Sequence, residues 1–178
     1  MFSIARETLP EDALLKTYRG GVHPERWGRY GDCFSVTVDR EANLADFVFA
    51  FYTSPLFRVE RLMLRVLVHA ASSDSEARRL ADGSAATFAA WYVGERTATQ
   101  LLMCDRYERT RSWFRVTPLD GGRTLLQFGS AVAAVGNPRT GAAALSGGFQ
   151  LLLGFHIVYS QALLHAAKAG VLKMRPAA

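Results

Sequence analysis

The apolar positions of this chain change period several times, and each change marks an element. Across residues 33–39 they alternate, with Phe34, Val36 and Val38 on one side and Cys33, Ser35 and Thr37 on the other. A period of two is the signature of a strand with one buried face. Helical spacing follows: Leu44, Phe47, Val48 and Phe51 recur at i, i+3, i+4 and i+7, with Asn43 placed to cap. Ser54-Pro55 ends that helix and opens another, Ser54 as N-cap and Pro55 at the first helical position. The second helix carries an apolar stripe of Leu56, Val59, Leu62, Met63, Val66 and Leu67. Ser73-x-x-Glu76 is a capping box, and Gly83 suits the stop of a third, short helix.

From Phe88 the period returns to two and predicts strands over about 88–96, 99–105, 109–119 and 123–134. Asp120-Gly121-Gly122 makes a three-residue hairpin loop that pairs Leu119 with Arg123. Counting back sets Val116 opposite Leu126, Phe114 opposite Phe128, Ser112 opposite Ser130 and Thr110 opposite Val132. Apolar meets apolar and hydroxyl meets hydroxyl, as a correct register requires. On the other face Trp113 lies across from Gly129 and Arg115 from Gln127. A two-residue loop at Thr97-Ala98 sets Glu95 opposite Gln100, Val93 opposite Leu102 and Trp91 opposite Cys104.

Asn137-Pro138 breaks the sheet, and the rest reads as one helix over roughly 142–169, about 40 Å long at 1.5 Å per residue. Leu145, Phe149, Leu152, His156, Tyr159 and Leu163 form one face of it, and Gly170 suits its C-cap. The first thirty residues hold a short helical stretch over 10–16 and a Gly/Pro-punctuated segment. The expected organisation is a lead-in over 1–29, one domain over 30–172 and a tail over 173–178. The class is α+β: an antiparallel sheet with one apolar face needs a cover, and the last helix is the element long enough to cross it.

Several segments carry a resemblance. Tyr30-Gly31-Asp32-Cys33-Phe34-Ser35, Phe51-Tyr52-Thr53-Ser54-Pro55-Leu56-Phe57 and Thr110-Arg111-Ser112-Trp113 resemble an uncharacterised bacterial branch of the START-like superfamily, which includes polyketide cyclases and plant lipid carriers. Phe128-Gly129-Ser130-Ala131-Val132 and Gly154-Phe155-His156-x-x-Tyr159-Ser160 resemble the same branch, so the likeness spans about residues 30–170. It implies a helix-grip fold: a curved antiparallel sheet wrapped around a long C-terminal helix, with shorter helices inserted after the first strand. It also implies a pocket between sheet and helix for a small hydrophobic or amphipathic molecule. A cyclase, aromatase or isomerase-like enzyme on the same fold is the alternative, and a self-associating interaction protein is a third. No catalytic residue carries over with the resemblance. Members normally have seven strands and the pattern here gives five. Either a strand lies in the first thirty residues, or one sheet edge is open for a partner.

With that architecture, the inner wall is expected to comprise Trp91, Val93, Glu95, Gln100, Leu102, Cys104, Thr110, Ser112, Phe114, Val116, Leu126, Phe128, Ser130 and Val132, with Phe149, Leu152, His156 and Tyr159 from the helix. About seven of these are polar, more than a dry core holds without internal partners. His156 and Glu95 are the candidates for acid/base chemistry, against the plainer readings of a hydrogen-bonded core histidine and of a structural ion pair with Arg61, Arg65 or Arg96.

Composition then narrows the field. The chain has 178 residues, 49% hydrophobic and 21% charged, with a net charge of +5, and so is long enough for a real core. No run of five basic residues occurs. Arg109, Arg111, Trp113 and Arg115 alternate onto the outer face, where a solvated strand is the simpler reading than a nucleic-acid platform. Leu101 and Met103, assigned to that same face, suggest a homodimer contact instead. Cys33 and Cys104 have neither disulfide-framework nor zinc spacing. No dinucleotide, phosphate-loop, nucleophile-elbow or zinc-protease motif appears, so no cofactor or metal is expected. The N-terminus lacks an apolar leader, and Gln150, His156, Gln161 and His165 interrupt the longest apolar region, so a cytoplasmic chain without membrane insertion is expected.

Overall fold

The hairpin at Asp120-Gly121-Gly122 anchors the architecture. Gly121 and Gly122 take φ of 73° and 68°, values open to glycine and strained for side chains with a Cβ. In the computed structural model, which describes residues 3–21, 31–67, 69, 71–133 and 147–174 (backbone alone for 67 and 147–155), this turn joins the two longest strands. The elements in chain order are β1 (Ala5–Arg6), α1 (Leu14–Thr17), β2 (Gly31–Val38), α2 (Leu44–Tyr52), α3 (Pro55–Leu67), α4 (Asp74–Asp82), β3 (Thr87–Phe88), β4 (Trp91–Arg96), β5 (Gln100–Asp105), β6 (Thr110–Leu119), β7 (Arg123–Val132) and α5 (Gly147–Lys173). The strands form one seven-stranded antiparallel sheet in the order β1-β2-β7-β6-β5-β4-β3. The two strands beyond the expected five are the short edges: β1 lies in the N-terminal thirty residues, and β3 is cut from β4 at Ala89, which adopts φ of 50°.

The β6–β7 register follows the expected pairing from Thr110↔Val132 to Leu119↔Arg123. Caps explain the helix starts. Asn43 accepts from the Asp46 N–H and Asp46 answers from its side chain. Ser54 Oγ accepts from Phe57 N–H, and Ser73 and Glu76 form the capping box. Gly83, with φ of 87°, ends α4.

Three local expectations need correction. The β4–β5 turn is centred on Ala98-Thr99, because Thr97 N–H donates to Gln100 O at 2.9 Å and Thr97 Oγ1 accepts from Gln100 N–H at 3.0 Å. Arg96 therefore pairs with Leu101 and Glu95 with Leu102, and a bulge between Val93 and Glu95 shifts the rest to Val93↔Met103 and Trp91↔Asp105. Leu101 and Met103 consequently face inward, while Leu102 and Cys104 face outward. Second, Gly170 is no cap: α5 runs on to Lys173, and a Cβ at Gly170 would lie 2.9 Å from Ala50 Cβ, so it marks close approach of α5 to α2. Third, the apolar stripe of α3 faces solvent, with Val59, Leu62, Met63 and Val66 all more than half exposed. Leu145 lies outside the described residues.

The inner face of the sheet packs Phe34, Val36, Leu101, Phe114, Leu126 and Phe128 against α2 and against Leu163, Leu164, Ala167 and Val171 of α5. Arg40 closes the far end of α5 by donating to the carbonyls of Val171 (2.9 Å) and Met174 (2.5 Å). The outer face is covered by the chain's own start. Ala13, Leu14 and Leu15 pack on Cys33, Leu102, Cys104, Trp113 and Ala131. Among the described residues no helix is long and apolar enough to cross a membrane.

Candidate functional site

Successive rows across the inner face differ in character. One row runs Val36, Leu126, Val116; the next runs Phe34, Phe128, Phe114, Leu101; the third runs Asp32, Ser130, Ser112, Met103. Phe51 of α2 fills the space above the second row, its ring centroid 4.8 Å from those of Phe114 and Phe128. Above the third row the filling stops. A cavity of about 160 Å³ opens there, walled by Phe51 and Tyr52 of α2, Phe57 and Glu60 of α3, Trp91, Thr110, Arg111, Ser112, Phe128 and Ser130 of the sheet, and His156, Tyr159, Ser160 and Leu163 of α5.

Two polar groupings border it. In the first, Asp32 Oδ1 accepts from Ser130 N–H at 2.9 Å and lies 2.6 Å from Ser130 Oγ, which is itself 2.6 Å from His156 Nε2. An oxygen already serving as acceptor takes the hydroxyl proton too, so His156 Nε2–H donates to Oγ and Nδ1 carries the basic lone pair. Asp32 Oδ2 lies 3.8 Å from the same Nε2. In the second grouping, Tyr159 O–H donates to Glu60 Oε2. Burial pushes the Glu60 carboxyl above its usual range, and the tyrosine hydrogen bond opposes that only in part. Burial, then the Glu60 charge, pushes the Tyr159 hydroxyl up as well. The site thus offers a hydroxyl, an imidazole and a carboxyl that is readily protonated, around an aromatic floor.

Of the residues assigned to the wall from sequence, Trp91, Thr110, Ser112, Phe128, Ser130, His156 and Tyr159 border the cavity. Val93 is half-buried against the inner core, and Phe114, Val116 and Leu126 are buried in its solid part. Phe149 and Leu152 lie on α5, but their side chains fall outside the described residues.

Four others are corrected. Glu95 sits beyond the bulge, paired with Leu102 and exposed on the outer side, so it neither reaches His156 nor forms a buried carboxylate. Leu102 and Cys104 pack under α1. Gln100 also faces outward. Its Oε1 accepts from Trp113 Nε1–H at 2.7 Å and Leu14 N–H at 3.1 Å, which pins α1 to the sheet. The outer strand expected to be solvated is likewise covered: Trp113 and Arg111 are buried, Arg111 donates to Gly20 O at 2.9 Å, and Arg115 pairs with Asp12 at 2.8 Å. The Trp113 and Met103 side chains are thus not available as a dimer contact.

The sequence reading missed Asp32, Glu60 and the α2 aromatics. Asp32 was recoverable, because it lies two residues before Phe34 and shares its face. Neither cysteine adds chemistry: burial pushes the Cys33 thiol up to about 12, and Cys104 is also raised, mainly by burial. Among the described residues no cluster of His, Cys, Asp and Glu could hold a metal ion.

No protein-family model matches the chain, and no curated protein matches it in sequence. Among solved structures, CalU16 from Micromonospora echinospora is similar at 12% identity and a TM-score of 0.34, with 97% of this chain and 98% of that chain covered. What the structure defines is an α+β protein with a seven-stranded antiparallel sheet and a long C-terminal helix.

Proposed function

We propose that the chain is a helix-grip binding protein that holds one small amphipathic molecule between the sheet, α2, α3 and α5. The observation that carries this reading is the abrupt change from a filled aromatic row to a hollow polar one. A cavity of about 160 Å³ is close to the roughly 150 Å³ that accommodates benzene in an engineered protein core. The occupant is therefore one ring or a short chain, apolar against Phe51, Phe57, Trp91 and Phe128. One or two oxygens on it would meet His156, Ser112 or the Glu60–Tyr159 pair. A titration of labelled protein with monocyclic phenols and short-chain alcohols, followed by amide NMR, tests it. Shifts should concentrate at Ser112, Ser130, His156 and Tyr159, and Ser112→Leu should abolish them. If no compound moves those amides, and the protein flies as a bare chain in native mass spectrometry, the reading fails.

The Asp32–Ser130–His156 chain favours a second reading, an enzyme of cyclase or isomerase type with His156 as general base. A base whose opposite nitrogen is held by a hydroxyl–carboxylate relay is oriented for proton abstraction. A turnover whose pH profile loses its lower limb in His156→Gln would select this reading over simple binding.

A further inference from the structure

Helix α3 is amphipathic in an unusual sense. Its inward side gives Phe57 and Glu60 to the cavity, and its outward side carries Val59, Leu62, Met63 and Val66 at 58%, 61%, 52% and 66% exposure. Those four stand at i, i+3, i+4 and i+7, so they form one continuous stripe. Arg58 and Arg65, seven residues apart, run along one edge of that stripe. Beside Leu62 a cleft of about 180 Å³ is lined by Arg58, Arg61, Arg65, Ser72 and Asp74. Arg61 is fixed in it by Ser72 Oγ (3.0 Å), Ser72 O (2.7 Å) and Asp74 Oδ1 (2.6 Å), and Arg58 also reaches Asp74. Three guanidinium groups face one carboxylate, which leaves the cleft positive in a chain already at +5.

We propose that α3 lays this stripe on an anionic phospholipid bilayer, with headgroup phosphates at the arginine cleft and the apolar side chains at the acyl boundary. Apolar side chains flanked by arginine suit an interface whose surface is negative and whose interior is hydrocarbon. A second copy fits less well. Antiparallel pairing of two such helices sets the arginine edges side by side, and four half-exposed side chains cover far less than the roughly 800 Å² a side of a standard interface. Contact is interfacial only, because the other side of α3 turns Phe57 and Glu60 to the cavity. One helix diameter, about 10 Å, then separates bilayer from cavity.

Flotation of the full chain with vesicles tests this without any cavity ligand, so its outcome is independent of the binding proposal. The chain should float with phosphatidylcholine vesicles containing phosphatidylglycerol, stay behind with phosphatidylcholine alone, and lose binding as salt rises. Leu62→Asp and Met63→Asp should each weaken partitioning about tenfold or more. Arg65→Gln should weaken it about fivefold. All three change exposed side chains, and circular dichroism of each variant should match the parent. No flotation, equal flotation with both vesicle types, or unchanged flotation of a folded Leu62→Asp would overturn the proposal. So would a concentration-dependent dimer that Leu62→Asp dissolves while vesicles bind nothing.

Discussion

Two neighbouring rows of the same sheet face, one pleat apart, differ in what stands above them: packed side chains over one, a cavity over the other. In the row of Phe34, Phe128, Phe114 and Leu101 all four side chains are buried in the main core at 3% exposure or less, and Phe51 of α2 packs on Phe114 and Phe128. In the row of Asp32, Ser130, Ser112 and Met103 short polar side chains stand beneath His156 and Tyr159 with space between. Shortening side chains by a few atoms is enough to turn a packed core into a chamber. The polar groups that remain then require partners, which explains the chain from Asp32 through Ser130 to His156. One row is filled by packing, and a polar cavity opens above the next.

The sharpest way to break that contrast is to hollow the packed row. Phe114→Ala should cost about 3–5 kcal/mol, read as a lowered urea midpoint with an unchanged slope. A loss below about 1 kcal/mol would mean that the row is not the packed half. Asp32→Ala attacks the polar row at its anchor. It strands the Ser130 N–H and hydroxyl in a buried place and should cost about 1–3 kcal/mol, with the His156 ring resonances shifted as their partner reorients.

A smaller effect appears with pH. Burial lifts the Glu60 carboxyl above its ordinary 4.5, so between that value and its folded one the native chain holds a proton that the unfolded chain has released. Stability should fall as pH rises through this window, and Glu60→Gln should flatten that part of the stability curve. The gentlest test is Ser112→Ala, which should stay within about 0.5 kcal/mol of the parent because the hydroxyl faces space, not packing. A large loss there would show the chamber to be part of the core.

Much of this arrangement was legible from residue order, for identifiable reasons. The Asp120-Gly121-Gly122 loop permits few backbone paths, so it carried the register of ten residues on either side. Alternation in β2, carried back one residue past Cys33, would also have placed Asp32 with Phe34. The β4–β5 pair was not legible, because the Thr97 hydroxyl moves the turn by one residue and the bulge at Gly94 moves the strand again. The first slides partners by two positions and keeps their face; the bulge is what took Glu95, Gln100, Leu102 and Cys104 to the face opposite Trp91 and Val93. Space explains the glycine: a Cβ at position 94 would stand 2.9 Å from Cys104 Sγ. Glu60 was hidden for a different reason. Periodicity defines an apolar stripe but not which side of the helix docks, and in α3 the side that docks is held by Phe57 and Arg61 while the stripe looks outward.

The strap that covers the outer face reverses the order of synthesis. Glu7 and Leu14 leave the ribosome early, yet Glu7 receives a hydrogen bond from Gln127, 120 residues later, and Leu14 donates to Gln100, 86 residues later. Contacts across such spans form slowly, since long loops must close first. A chain whose Leu14 segment is undocked leaves the Trp113 indole uncovered, so the emission of that ring should report docking.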